Sequence, residues 1–216
     1  MKKIDIFFDI KSMGLSFFFP FIVILYIHLL LFFREDVESF IEILSILEFI
    51  ICPLIAWWTI YLYFDYYEGS AREILFSYPV SKAHHGILRV WTFLLLYSSL
   101  IILLFIHINF QFETFMVSTS LVQYLPQILM YSSISFLLVI IFKSIIPPII
   151  IIVGYVISKY FTYGSPALPL YNIMYFNKEV LQLEDIVGKS LLNVLLSCIF
   201  YFVGHLIFSN NRYMLK

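Results

Sequence analysis

The chain has 216 residues, of which 62% are hydrophobic and 12% are charged, and its formal net charge is −1. Its mean hydropathy is +0.96. Soluble domains carry about 25% charged residues, so this composition excludes an ordinary soluble domain and predicts an all-α integral membrane protein.

Residues 1–12 precede the first long apolar run. If they are helical, Asp5, Asp9 and Ser12 share one stripe, whereas Phe7 and Phe8 lie largely on the other side. This amphipathic pattern favours a short helix in the cytoplasmic interface. The alternative is a solvated tail. Because the apolar run is long and no small-residue cleavage site follows it, we expect the segment to stay attached.

Six apolar runs come near the roughly 20 residues that cross the hydrocarbon core. These predicted spans are 13–33, 43–64, 87–108, 121–142, 144–163 and 189–208. Pro20 and Pro53 lie within spans and are expected to kink them, and Pro147 and Pro148 interrupt the start of the fifth.

Lys and Arg are enriched in cytoplasmic loops, and their distribution predicts that both termini are cytoplasmic. Nine basic residues are then internal: Lys2, Lys3, Lys11, Arg72, Lys82, Arg89, Lys143, Arg212 and Lys216. Four are external, namely Arg34, Lys159, Lys178 and Lys189.

Residues 163–188 lie between the last two predicted spans and are too apolar for a simple hydrated loop. We expect short helices that re-enter the outer leaflet and cap a translocation pathway from outside. An interfacial loop is the equal alternative.

Glu48 is an acidic residue inside a predicted span, where a carboxylate normally faces the protein interior or water. It is a candidate for contact with a cationic substrate or for proton binding; alternatively, it stays hydrated near the outer interface. His28 and His107 lie near span ends and are expected to be interface anchors. Trp57 and Trp58 fit an aromatic belt or lipid-facing packing.

Catalytic and nucleotide-binding patterns are missing from the sequence. Gly188-Lys189-Ser190 resembles the end of a phosphate-binding loop, but Leu183 stands where that motif needs glycine. No zinc-peptidase or nucleophile-elbow motif occurs, so we predict no catalytic residues, no metal site and no cofactor in this chain.

The most informative polar segment lies between the second and third predicted spans. Asp65, Glu68, Arg72 and Glu73 place opposite charges three or four residues apart, as on a cytoplasmic extension of the second span. A short amphipathic turn follows, and Pro79 breaks it. The alternative is a solvated connector.

The sequence of this segment supports a family resemblance. Residues 68–82 read E-G-S-A-R-E-I-L-F-S-Y-P-V-S-K, which resembles the first cytoplasmic loop of ABC-2 type permeases, the membrane subunits of ABC exporters. The six spans, the N-terminal interfacial helix at 1–12 and the re-entrant segment before the last helix resemble that family over nearly the whole chain. The resemblance implies one permease domain over 1–216, with a type II ABC exporter fold and a coupling loop at 65–86.

Within that loop, the resemblance implies a coupling helix over 73–78 that docks on a separate ABC ATPase. Pro79 and Ser81 would shape its exit, and Glu68 and Arg72 would stabilise the junction. The implied docking set is Glu68, Arg72, Glu73, Ile74, Leu75, Tyr78, Pro79 and Ser81.

The resemblance also implies the partners. ATP and Mg²⁺ would bind the ATPase chain, and a second identical or paralogous permease would complete the substrate path in the plasma membrane. Small permeases of this kind resemble those of antimicrobial-peptide or lantibiotic export and immunity, so an amphipathic, cationic peptide is the expected substrate. Residue usage fits a low-GC Gram-positive bacterium. No nucleic-acid partner is expected.

Two other classes stay open from the sequence. One is an ion-coupled carrier or a non-catalytic membrane scaffold, for which Glu48 is the residue to test. A multipass membrane enzyme is less favoured, since no clustered polar residues face one another at one depth in the sequence.

Overall fold

The described residues of this computed structural model are 6–33, 37–68, 83, 86–112, 114–162 and 183–210. They are almost entirely helical. The α-helices are α1 Ile6–Met13, α2 Phe19–Phe33, α3 Val37–Ile46, α4 Cys52–Tyr61, α5 Phe64–Tyr67, α6 Ile87–Gln111, α7 Val117–Phe142, α8 Ile146–Thr162 and α9 Leu183–Ser209. A 3-10 helix over Gly14–Phe18 joins α1 to α2, and a π-helical turn over Leu47–Ile51 joins α3 to α4.

Five helical stretches are long and apolar enough to cross a membrane: Ile6–Phe33, Phe40–Tyr61, Ile87–Gln111, Val117–Phe142 and Ile186–Ser209. They match five of the six predicted spans to within a few residues, except that the first also takes in α1. The remaining predicted span, 144–163, corresponds to α8. With 17 residues, α8 is about 25 Å long, against about 30 Å for the hydrocarbon core.

The prolines mark where helices begin. Pro20 and Pro53 are the second residues of α2 and α4, after the 3-10 and π segments respectively. A proline has no N–H to donate to the carbonyl one turn earlier, so the helical hydrogen-bond pattern is interrupted there. For Pro20 the carbonyl four residues earlier is that of Ser16. The kinks expected at these two prolines stay a prediction; the structure shows a change of helix type directly before the helix that holds each proline.

The 3-10 segment is attached to the second span by two indole groups. Trp57 Nε1 donates to the carbonyl of Ser16 at 2.9 Å, and Trp58 Nε1 donates to that of Phe17 at 2.8 Å. Trp58 is fully buried and its ring stacks on Phe17. The prediction of a lipid-facing or belt position is wrong for Trp58, because the carbonyls of the irregular segment supply acceptors for its N–H inside the protein.

Helix α7 lies at the centre of the bundle and packs against both α4 and α9. A chain of buried hydroxyls crosses these three helices: Ser132 on α7 is 3.0 Å from Thr59 on α4 and accepts from Tyr201 on α9 at 2.8 Å. The backbones of α7 and α9 approach closely at Gly204, where an added Cβ would meet the Phe136 ring at 2.8 Å. Small residues permit this kind of contact between membrane helices.

A second contact between α7 and α9 compensates for a proline inside α7. Pro126 has no N–H, so the carbonyl of Val122 loses its helical partner. Ser190 on α9 donates its hydroxyl to that carbonyl at 2.7 Å. Since hydrocarbon offers no alternative donor, a neighbouring helix must supply one.

Candidate functional site

The candidate site is an ion pair inside the bundle. Glu48 lies in the π-helical turn of the second span, about 12 Å from the start of that span at 1.5 Å per residue. Lys159 lies three residues before the end of α8. Lys159 Nζ donates to Glu48 Oε1 at 2.5 Å, and both side chains are almost completely buried. Each charge is therefore neutralised within the protein rather than by water.

Aromatic and amide groups surround this pair. The ammonium of Lys159 lies 5.4 Å from the ring centre of Phe49 and 5.9 Å from that of Tyr131, within cation–π range. Gln127 on α7 donates to the second carboxylate oxygen of Glu48 at 3.0 Å. The buried ion-pair centre, Glu48, Gln127 and Lys159 with their two aromatic neighbours, thus joins the second span, α7 and α8.

Of the two alternatives that the sequence leaves for Glu48, a hydrated position near the outer interface is wrong, because the side chain is buried; the sequence did not identify its partner. The distribution of basic residues places Lys159 on the external side, whereas the structure buries its side chain completely. A signal was present, because Glu48 and Lys159 lie close to the same predicted membrane surface, near the beginning of one span and the end of another. Opposite charges at one depth in apolar helices are expected to pair.

An apolar groove of about 320 Å³ runs between the second span and α8. Phe49, Pro53 and Trp57 line one wall, and Ile149, Val153 and Val156 line the other. Phe49 also lies against Lys159, so the groove ends beside the buried ion-pair centre.

A second polar cluster lies where the second and third spans flank the loop of residues 69–85. Arg89, near the start of α6, bonds Asp9 of α1 at 2.5 Å, and both side chains are buried. Its guanidinium also donates to the carbonyl of Leu62 at 3.3 Å and lies 5.0 Å from the ring centre of Tyr66. These contacts join α1, α5 and α6.

The protonation of Tyr66 follows from this environment. Burial raises the pKa of the Tyr66 hydroxyl, and the nearby Arg89 charge acts in the opposite direction with a smaller effect. Tyr66 therefore stays neutral at physiological pH, and among the described residues Asp9 supplies the negative charge that pairs with Arg89.

Three more hydrogen bonds complete this cluster, which we call the loop junction. It comprises Asp9, Ser12, Asp65, Tyr66, Glu68, Arg89 and Ser144. Ser12 of α1 donates to Asp65 at 2.5 Å. Glu68 accepts from the Ser144 hydroxyl at 2.8 Å and from the Ile145 amide at 2.9 Å. Glu68 therefore caps the start of α8 from another part of the chain.

The loop junction also revises the prediction for α1. The stripe with Asp9 and Ser12 faces the protein, whereas Phe7 and Phe8 are exposed. An apolar exposed face is compatible with a helix at the membrane surface.

Most of the predicted docking residues lie outside the described part of the chain. Glu68 is described, whereas Arg72, Glu73, Ile74, Leu75, Tyr78, Pro79 and Ser81 fall within 69–82. Residues 163–182, which include most of the predicted re-entrant segment, also lie outside it.

His28 and His107 contact each other. Their Nδ1 atoms are 2.6 Å apart and their rings are nearly parallel, with centres separated by 4.9 Å. This contact links α2 to α6, a role that goes beyond the predicted interface anchoring. Across the described ranges, no three His, Cys, Asp or Glu side chains converge to hold a metal ion.

Five long apolar helices packed around buried polar contacts define a helical multipass membrane protein. No known protein family, curated protein or solved structure matches the chain.

Proposed function

We propose that the chain is the membrane-spanning permease subunit of an ATP-driven ABC exporter. It moves an amphipathic substrate, such as an antimicrobial peptide, out of the cell or out of the membrane. A separate ATPase chain hydrolyses ATP with Mg²⁺, and a second permease subunit, identical or paralogous, completes the path. The chain then lies in the plasma membrane with six crossings, of which α8 is the fifth, and with both termini cytoplasmic.

The loop junction is the observation that carries this proposal. The loop with the permease-like sequence at 68–82 is flanked by contacts to α1, α6 and the start of α8. A force applied to this loop would reach several membrane elements at once, as a transporter driven by a cytoplasmic ATPase requires. A solvated connector would not need buried charges at its base.

The mechanism follows from two-state coupling. Closure of the paired ATPases pushes on residues 73–78, and the second span tilts because α4 and α5 lead directly into the loop. ATP then shifts the path from inward-open to outward-open. The size of this shift is set by the difference between the two states in their free energy of interaction with the ATPase.

Purification tests the proposal first. The tagged chain is extracted from its native membrane in mild detergent, co-eluting proteins are identified by mass spectrometry, and ATP hydrolysis is measured. We expect a stoichiometric ABC ATPase. A chain that elutes alone and without hydrolysis would contradict the proposal.

Two loop variants test the coupling assignment. Glu73→Arg and Pro79→Ala are expected to lower the amount of substrate moved per ATP hydrolysed by about tenfold, a coupling loss of about 1.4 kcal/mol. Both should insert normally in the membrane. The matched control is Glu184→Arg, a charge reversal at an exposed position near the start of α9, which should leave the ratio unchanged. Full coupling in both loop variants would refute the assignment.

An ion-coupled carrier is the alternative, and one observation favours testing it. Gln127, which donates to Glu48, and Gln123, one turn earlier on α7, each have a buried polar atom, Oε1 and Nε2 respectively, that makes no hydrogen bond within the described residues. Glu48→Gln alone would remove the carboxylate that pairs with the buried Lys159, so the double variant Glu48→Gln, Lys159→Met is the cleaner test. A carrier coupled through Glu48 loses its ion dependence, whereas the permease keeps ATP-dependent transport.

A further inference from the structure

We propose that polar contacts near both ends of α8 attach it to the second span, so that the two helices move as one unit. Each of these two contacts is called a pin below. The inference rests on the proposed function, because it states how a push at the loop reaches a helix that is distant from it in the sequence.

The first pin lies at the loop junction. Glu68 follows α5 directly and accepts from the Ser144 hydroxyl and the Ile145 amide. The Ser144 hydroxyl also accepts from the Ile146 amide at 3.4 Å. The Glu68 carboxylate thus binds one amide at the start of α8 directly and the hydroxyl that accepts from the next amide, whereas residues 147 and 148 are prolines without an N–H. Glu68 is exposed, so this pin is the weaker one.

The second pin is the Glu48–Lys159 ion pair, near the opposite end of α8. Residues 145 and 159 are about 21 Å apart along a helix. Separating the two charges in an apolar environment costs far more than sliding α8 along with its partner, because neither charge has access to water.

The contacts between the pins are of a different kind. The second span and α8 enclose the apolar groove there, with Pro53 and Ile149 on opposite walls. Because apolar contacts are not directional, they allow the two helices to rock or slide. The two polar pins, by contrast, fix the register and the distance at both ends.

A hinge is available where α7 leads into α8. Lys143 adopts a left-handed conformation with φ 52°, and it ends α7 before the two-residue link Ser144–Ile145. A residue other than glycine in this conformation interrupts the helix, so α8 can follow the second span without being continuous with α7.

The test releases each pin separately and then both together. Glu68→Ala releases the first, and Glu48→Gln with Lys159→Met replaces the second without leaving a buried charge. The control is Thr162→Val, because the Thr162 hydroxyl bonds only to carbonyls of α8 itself, Ser158 and Lys159, among its described hydrogen bonds.

Two readouts follow from each variant. Spin labels at Ile50→Cys and Ile150→Cys, both at exposed positions, report the distance from the second span to α8, with Cys198→Ala removing the exposed native thiol. The second readout is substrate moved per ATP hydrolysed by the complete transporter in vesicles.

With both pins released, we expect a broadened distance distribution. Each variant is expressed as its transport per ATP relative to the parent protein. The value with both pins released should be at least about fivefold lower than the product of the values for the two separate releases. Two contacts that hold the same helix are expected to couple by about 1 kcal/mol or more. A distribution as narrow as in the parent protein would overturn the pinning. Broadening with purely multiplicative transport losses would overturn its role in coupling. If the parent chain transports nothing with ATP, the proposed function fails, and the distance measurement alone decides the pinning.

Discussion

Removing one partner of the Glu48–Lys159 pair should destabilise the protein much more than removing both. In Glu48→Gln, the ammonium of Lys159 stays buried and loses the charge of the Glu48 carboxylate. In Lys159→Met, the carboxylate of Glu48 stays buried and loses the charge of the Lys159 ammonium, while Gln127 still donates to it. The double variant leaves side chains of similar shape and no buried charge.

The expected magnitudes follow from the burial of both side chains. Breaking a buried pair on one side costs about 3–5 kcal/mol, whereas neutral replacement of both partners is often close to neutral. For a chain of this size each kcal/mol moves Tm by about 2–4 °C, so each single variant should lose about 10 °C. The two single effects should not add, and the double variant should recover most of the loss.

Thermal unfolding in mild detergent, followed by the fluorescence of the three tryptophans, measures these shifts. Lys11→Met is the control, because this lysine is exposed on α1, and its Tm should stay within about 2 °C of the parent value, since a surface change costs at most about 0.5 kcal/mol. If the decrease in Tm of the double variant equals the sum of the decreases in the two single variants, the two side chains contribute independently to stability. That result would refute the reasoning.

Two further predictions concern the contact between α7 and α9. Ser190→Ala should lower the free energy of unfolding by about 1–3 kcal/mol, because the Val122 carbonyl loses its hydrogen-bond donor. This loss should nearly vanish in a Pro126→Ala background, where the restored helical N–H bonds that carbonyl. Equal decreases in Tm in the two backgrounds would disprove this pairing. Gly204→Ala should lower stability by about 1–3 kcal/mol through overpacking against the facing ring, whereas Gly154→Ala, with no atom within 4 Å of the added Cβ, should raise it by up to about 1 kcal/mol. Shifts of the same sign in the two glycine variants would contradict the close approach of the helices.

Span positions could be read from the sequence because hydropathy is a local property. Five of the predicted spans reappear as long apolar helices with boundaries shifted by a few residues. The remaining predicted span, 144–163, corresponds to α8, an apolar helix of 17 residues that is shorter than the other five stretches. The cost of exposing backbone or charge to hydrocarbon acts on each segment separately, so no knowledge of neighbouring helices was needed.

Because hydropathy is a local property, it does not predict which groups an individual side chain contacts. Trp58 has the composition of a belt residue, but its N–H is taken by a carbonyl of the 3-10 segment 41 residues away. Pro53 predicts an irregularity within a span, but the sequence pattern does not show its form, a π-helical turn at Leu47–Ile51 that directly precedes α4. In both cases the deciding contact or backbone geometry is invisible to a hydropathy pattern.

The sequence by itself determined that this chain is helical, crosses a membrane several times and holds a carboxylate inside one span. Only the tertiary structure decided that this carboxylate pairs with a lysine 111 residues later. It likewise decided that Glu68 caps the start of α8, a helix that comes after the fourth span in the sequence. Burial of a segment follows from its own composition, whereas the partner of a buried charge depends on which helices pack together at which depth.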